Sequence, residues 1–145
     1  MKKLTLTAFL AMISTYSYAV PNIWTSGYGQ GWAEYQITNA KNQTLRIACN
    51  DGYDDTTDHN ITLNDQNIRE SAFIINGNAY YPLSMSSDTR NGASDWNKFT
   101  KAISKAKAFE IYYNNEKLAT FSATSQSVKS VASSLAQCKS LFEKI

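Results

Sequence analysis

Cys49 and Cys138 are the only cysteines in the 145-residue chain, and the patterns around them constrain its fold. Around Cys49 the apolar residues alternate, so Leu45, Ile47 and Cys49 share one face of a strand predicted over residues 44–49. Around Cys138 they recur at helical spacing. Val128, Val131, Leu135, Cys138 and Phe142 make one stripe of a helix predicted from a Ser125 or Ser127 cap to about Phe142. Both sulfurs therefore face a core, and a disulfide would pin the last helix to the second strand. Such a bond closes a loop of roughly 90 residues and stabilises by about 4–5 kcal/mol at most.

A disulfide needs an oxidising compartment, and the N-terminus reads as the address for one. Lys2 and Lys3 precede an uncharged apolar run over residues 4–13, and Ser17-Tyr18-Ala19 follows. This is the layout of a Sec signal peptide cut after Ala19. The apolar run is about half of the ~20 residues that a membrane-spanning helix needs. The expectation is a leader over residues 1–19 and a single exported domain over residues 20–145. That domain would be periplasmic or secreted, with no membrane insertion after cleavage, and its short Lys-Lys start is of a bacterial kind.

Composition supports a folded core, with 43% hydrophobic and 12% aromatic residues. Loss of Lys2 and Lys3 leaves twelve basic and twelve acidic residues, a balance that argues against nucleic acid or anionic membranes as partners. The charge is unevenly placed. Residues 20–95 hold nine acidic and four basic side chains, and residues 96–145 hold three and eight. Pairing between the halves accounts for this, and so does an acidic face offered to a basic partner.

The remaining patterns predict an α+β fold: an antiparallel sheet of six or seven strands with two helices packed on one side. Residues 21–31, with three glycines, read as an irregular lead-in. Residues 32–38 alternate as a strand, and residues 60–63 form a short one. Asn76-Gly77-Asn78 between two β-rich runs signals a hairpin, and Pro82 puts its second strand at an edge. Ser94 is expected to cap a helix whose apolar face is Trp96, Phe99 and Ile103. Asn114-Asn115-Glu116 is the turn of a last hairpin.

Candidate chemistry is sparse. His59 is the only imidazole, so a nucleophilic triad would have to use it with Asp58 or Asp55. No G-x-S-x-G element is present. Gly27-x-Gly29-x-Gly31 opens a strand rather than a helix, so it is not a dinucleotide fingerprint, and no cofactor is expected. Asp51, Asp54, Asp55 and Asp58 crowd eight positions. Oxygen ligands at that density suit Ca²⁺, but the spacing departs from D-x-D-x-D-G and no Glu closes the loop, so no metal site is assigned. The bland alternative is a solvated loop. The sharper one is a recognition loop of Asp51, Tyr53, Asp54, Asp55, Asp58 and His59, entering a basic cleft of a protein partner with the tyrosine as anchor. Trp24, Tyr28 and Trp32 could form an aromatic surface for sugar or peptide, or could cover one end of the sheet.

The run from Lys117 to Cys138, a Phe-bearing strand, a Ser-containing turn and an amphipathic segment, resembles the ending of the invasion-associated locus B family of small exported β-rich proteins. The resemblance covers about a sixth of the chain and implies no functional residue. Taken together, the expected function is a non-enzymatic periplasmic binding protein. Its concrete form is an inhibitor or immunity protein against an envelope-acting enzyme. The rivals are a secreted hydrolase using His59 or paired carboxylates, and a secreted host-facing factor.

Overall fold

A computed structural model describes residues 19–144. Apart from Ala19, the leader reading lies outside the described residues. The fold is α+β. Its strands are β1 (Thr25–Gly29), β2 (Trp32–Thr38), β3 (Thr44–Asn50), β4 (Asn60–Leu63), β5 (Gln66–Asn67), β6 (Ala72–Ile75), β7 (Asn78–Tyr80), β8 (Ala108–Tyr113) and β9 (Glu116–Ser122). The helices are α1 (Arg90–Ile103) and α2 (Ser125–Ala136), with a 3₁₀ turn at Leu141–Glu143.

The strands divide between two antiparallel sheets, in the orders β1-β2-β3-β4-β5 and β7-β6-β8-β9, rather than forming one. The side-chain amides of Asn39 and Gln43, in the β2–β3 turn, join the sheets by donating to the carbonyls of Thr120 and Leu118 on β9. Both helices bury one face in a shared core. Tyr35, Ile37, Leu45, Ile47 and Ile61 enter it from the first sheet and Phe73, Ile75, Phe109, Ile111 and Phe121 from the second. Trp96, Phe99 and Ile103 enter from α1, and Val128, Val131 and Leu135 from α2. The disulfide joins Cys49 of β3 to Cys138 just past α2, with Cα atoms 6.0 Å apart.

Four local expectations are corrected. Residues 25–29 form β1 rather than an irregular lead-in. Gln30 and Gly31, both at positive φ (52° and 81°), make the two-residue turn that pairs β1 with β2. Thr89, not Ser94, caps α1: its hydroxyl accepts from the Gly92 N–H. Thr124, not Ser125 or Ser127, caps α2 by accepting from the Ser127 N–H. Finally, α2 stops at Ala136 instead of reaching Phe142. The chain opens there because two carbonyls are used elsewhere: Trp96 Nε1 donates to Cys138 O at 2.8 Å, and the His59 ring bonds Lys139 O at 2.9 Å. Leu141 then turns into the core and Phe142 stays exposed.

Candidate functional site

The acidic loop runs from Asn50, at the end of β3, to His59, at the start of β4, and its two ends do different work. At the β4 end the alternation of the strand continues backward. His59 precedes Ile61 and Leu63 on the inward face and is 1% exposed. Its ring lies on the Trp96 indole, with centroids 4.3 Å apart. Nδ1 accepts from the Asn50 N–H at 3.0 Å, so the proton sits on Nε2, which donates to Lys139 O. Burial lowers the His59 pKa to about 4, against the opposing pull of Asp58. The neutral imidazole has no free lone pair, and its ring is closed off from any partner.

Asp58 is likewise committed. Its carboxylate accepts from Ser87 Oγ at 2.5 Å, Arg69 Nη2 at 2.7 Å, and the N–H groups of Ser87 and His59. Burial pushes this carboxyl up, but these donors outweigh it and hold the pKa below the usual carboxylate range. Asp58 and His59 therefore leave the recognition set that sequence patterning assigns them to. They are the seam tying the loop to α1 and the C-terminal segment.

The other end of the loop faces solvent. Asp51, Tyr53, Asp54 and Asp55 are exposed, Tyr53 at 54%. Asn50 organises them. Its buried side-chain amide donates to the carbonyls of Asp54 (2.8 Å) and Thr57 (2.6 Å), and its Oδ1 accepts from the N–H groups of Gly52 (3.2 Å) and Tyr53 (3.0 Å). Asp54 closes a second turn by accepting from both the backbone and the hydroxyl of Thr56 and Thr57. The Thr57 hydroxyl and the two N–H groups lower its pKa to about 2. Gly31 supports the loop from below. Its carbonyl accepts the Asp51 N–H at 2.8 Å, and a Cβ there would meet the backbone of Gly52 and Tyr53. The Tyr53 ring packs on Trp32, 5.5 Å between centroids. Lys144 donates to Asn50 O and stands 3.8 Å from Asp51. Of four ion pairs among the described residues, only this one joins the acidic and basic halves.

The three candidate aromatics do not form one surface. Trp24 is buried against Phe109. Tyr28 pairs with Ala33 and so lies on the core-side face of the first sheet, whereas Trp32, one position on, lies on the opposite face beneath Tyr53. Among the described residues no three His, Cys, Asp or Glu side chains converge as metal ligands do. No helix of the described residues is long and apolar enough to cross a membrane. Sequence patterning missed Asn50, Ser87 and Lys144. Asn50 alone carried a local signal, as an Asx residue opening a loop after a strand.

Comparison with known proteins replaces the resemblance drawn from residues 117–138. The model of the YfjT family matches residues 22–131, most of the chain, and overturns the likeness to the invasion-associated locus B family. The chain is 31% identical over 141 residues to the uncharacterized protein YkfB of Escherichia coli (strain K12), covering 90% of this chain and 91% of YkfB. It is 28% identical over 130 residues to the uncharacterized protein YfjT of the same strain, covering 83% and 84%. No solved structure matches.

Proposed function

We propose that this chain, which belongs to the YfjT family, is an exported, non-enzymatic binding protein that engages a protein partner through the tip of its acidic loop. Its concrete form is an inhibitor or immunity protein seated in the basic cleft of an envelope-acting enzyme. One observation carries the reading: Asn50 and Asp54 hold the exposed Asp51, Tyr53 and Asp55 in place before any partner arrives. A pre-ordered loop loses little conformational entropy on binding, and an aromatic ring among carboxylates suits a basic cleft. The internal disulfide accords with an oxidising compartment, periplasmic or extracellular. Against the rival reading of a hydrolase built on His59, both ring nitrogens are already used in structural hydrogen bonds.

The test is capture. The full chain, expressed with a C-terminal tag in a bacterial host and recovered from the envelope, is incubated with periplasmic and envelope extract and eluted by a salt step. A stoichiometric partner released by salt supports the reading. The Asp51→Asn/Asp55→Asn variant should then bind more weakly and with a flatter salt dependence, since rim charges act through long-range attraction. Equal affinity and equal salt slope for that variant would remove the loop from recognition.

A further inference from the structure

Sheet edges in this fold are guarded, with one exception. On β9 the outward carbonyls of Leu118 and Thr120 are taken by the side chains of Gln43 and Asn39, each at 3.0 Å. β5 has two residues, and β7 has three and stops shortly before Pro82. Short or capped edges resist pairing with other chains. β1 has neither protection. Its five residues, Thr-Ser-Gly-Tyr-Gly, include no charge and no proline, and among the described residues no strand pairs with its outer side.

Register decides which groups this edge offers. The two-residue turn at Gln30-Gly31 makes Gly29–Trp32 a hydrogen-bonded pair, and alternation makes Gly27–Glu34 and Thr25–Gln36 the next two. The N–H and C=O of Ser26 and Tyr28 therefore point outward from the sheet. Their side chains share the face of Tyr35 and Ala33 and line a groove of about 490 Å³ between β1 and the end of α2. Lys139, Lys144 and Asp51 also line it; Asp51 stands 3.8 Å from Lys144, whereas Lys139 has no ion-pair partner among the described residues.

We infer that β1 and this groove bind an extended peptide segment of another protein, which adds to β1 as a sixth strand of the first sheet and carries an acidic group toward Lys139. Main-chain bonds to Ser26 and Tyr28 give the affinity, and alternate side chains entering the groove against α2 give the selection. A second copy of this chain fits less well, because its own β1 brings no acid to the lysines. The groove meets the acidic loop at Asp51 but lies away from Tyr53 and Asp55, and the inference does not rest on the acidic-loop reading.

A random dodecapeptide phage library, selected on the full chain as exported, provides the probe. The expected peptides carry an acidic residue, and on binding they slow hydrogen exchange at the amides of Ser26 and Tyr28. Of the hydrogen bonds at β1, proline at either position removes only an outward N–H and leaves the β1–β2 ladder intact, and Ser26→Ala and Tyr28→Ala control for the lost side chains. Ser26→Pro and Tyr28→Pro should each weaken the selected peptides by about tenfold or more, and thermal melting checks that the variants fold. Asp55→Asn should leave peptide affinity unchanged, which separates this result from the acidic-loop test. The inference is overturned if no peptide is enriched, or if enriched peptides ignore both prolines and protect other amides. A dimer in sedimentation that Tyr28→Pro dissolves would give the edge to a second copy and overturn it equally.

Discussion

The imidazole of His59 lies flat on the indole of Trp96, with centroids 4.3 Å and planes 12° apart, and each ring sends its N–H to a carbonyl just past α2. Two rings from distant parts of the chain thus hold the same turn of the C-terminal segment, at Cys138 and Lys139. The disulfide closes on that turn as well. The seam is electrically neutral only while His59 is unprotonated, and a prediction about pH follows.

The folded pKa of His59, about 4, lies below its ordinary 6.5. Between these values the unfolded chain binds the proton and the folded chain does not, so stability rises with pH. The contribution is complete above about pH 6.5, falls as pH drops through the window, and is gone below about 4. The gap corresponds to about 3 kcal/mol. The chain has one histidine, and the carboxylates with lowered pKa values act mainly below about pH 5, so urea midpoints from pH 7 to about pH 5 isolate it. The natural protein should lose stability steadily, and His59→Gln should start lower and show a much flatter slope.

How far this site was legible follows from residue patterns. Alternation placed Tyr35, Ile37, Leu45 and Ile47 inward, and it also reaches back from Leu63 through Ile61 to His59. The polar run before His59 hides that signal by making it read as part of the loop. Of the two periodicities that met at the disulfide, the alternation at Cys49 was sound, and the helical stripe was sound through Leu135 but not at Cys138 and Phe142, which lie past α2. β1 was not legible, because glycines at positions 27 and 29 erase any alternation and its turn depends on Gln30 taking positive φ. The division into two sheets was not legible either. It rests on the pairing of β6 with β8, more than thirty residues downstream, which no local pattern encodes. The length of α2 was overread because Cys138 and Phe142 continue the stripe beyond Ala136, where tertiary bonds open the backbone.

Asn50 should separate order from charge in the acidic loop. Asn50→Ala leaves every carboxylate in place but frees the N–H groups of Gly52 and Tyr53 and the carbonyls of Asp54 and Thr57. Exposed loop groups find water, so the expected loss of stability is about 1–2 kcal/mol. Hydrogen exchange at Tyr53 should accelerate. If the loop is the recognition element, affinity for a captured partner falls while its salt dependence keeps the natural slope, whereas Asp51→Asn/Asp55→Asn should weaken binding and flatten that slope.

The disulfide spans 89 positions, so its removal releases a long loop in the unfolded chain. Cys49→Ala/Cys138→Ala should lose up to about 4–5 kcal/mol, read from guanidinium midpoints without reductant. The loss should spread beyond the sulfurs. Residues 139–144 depend on the same turn, so the Leu141 and Phe142 amides, which bond Ser87, should exchange faster.

Thr89 and Ser94 offer a direct comparison at α1. Thr89 accepts the Gly92 N–H at 3.1 Å, whereas Ser94 is an exposed residue within the helix. Thr89→Ala should destabilise by about 1 kcal/mol. Ser94→Ala should be neutral or slightly stabilising, because alanine is the better helix former. Equal losses at the two sites in thermal melts would return the cap to Ser94.

Gly92 reverses the usual expectation for glycine in a helix. Glycine costs about 1 kcal/mol relative to alanine in a helix interior, so Gly92→Ala would ordinarily stabilise. Here a Cβ would run into the backbone carbonyl of Ser86 and crowd the Thr89 hydroxyl. That carbonyl cannot easily withdraw, because it accepts both the N–H and the hydroxyl of Thr89. The substitution therefore strains the cap that starts α1, and overpacking of this kind costs about 1–3 kcal/mol. Gly92→Ala should lower the melting temperature, and Asn91→Ala, at an exposed neighbouring position, should not. A rise in melting temperature for Gly92→Ala would mean that the Ser86 turn yields and that α1 is held by its apolar face alone.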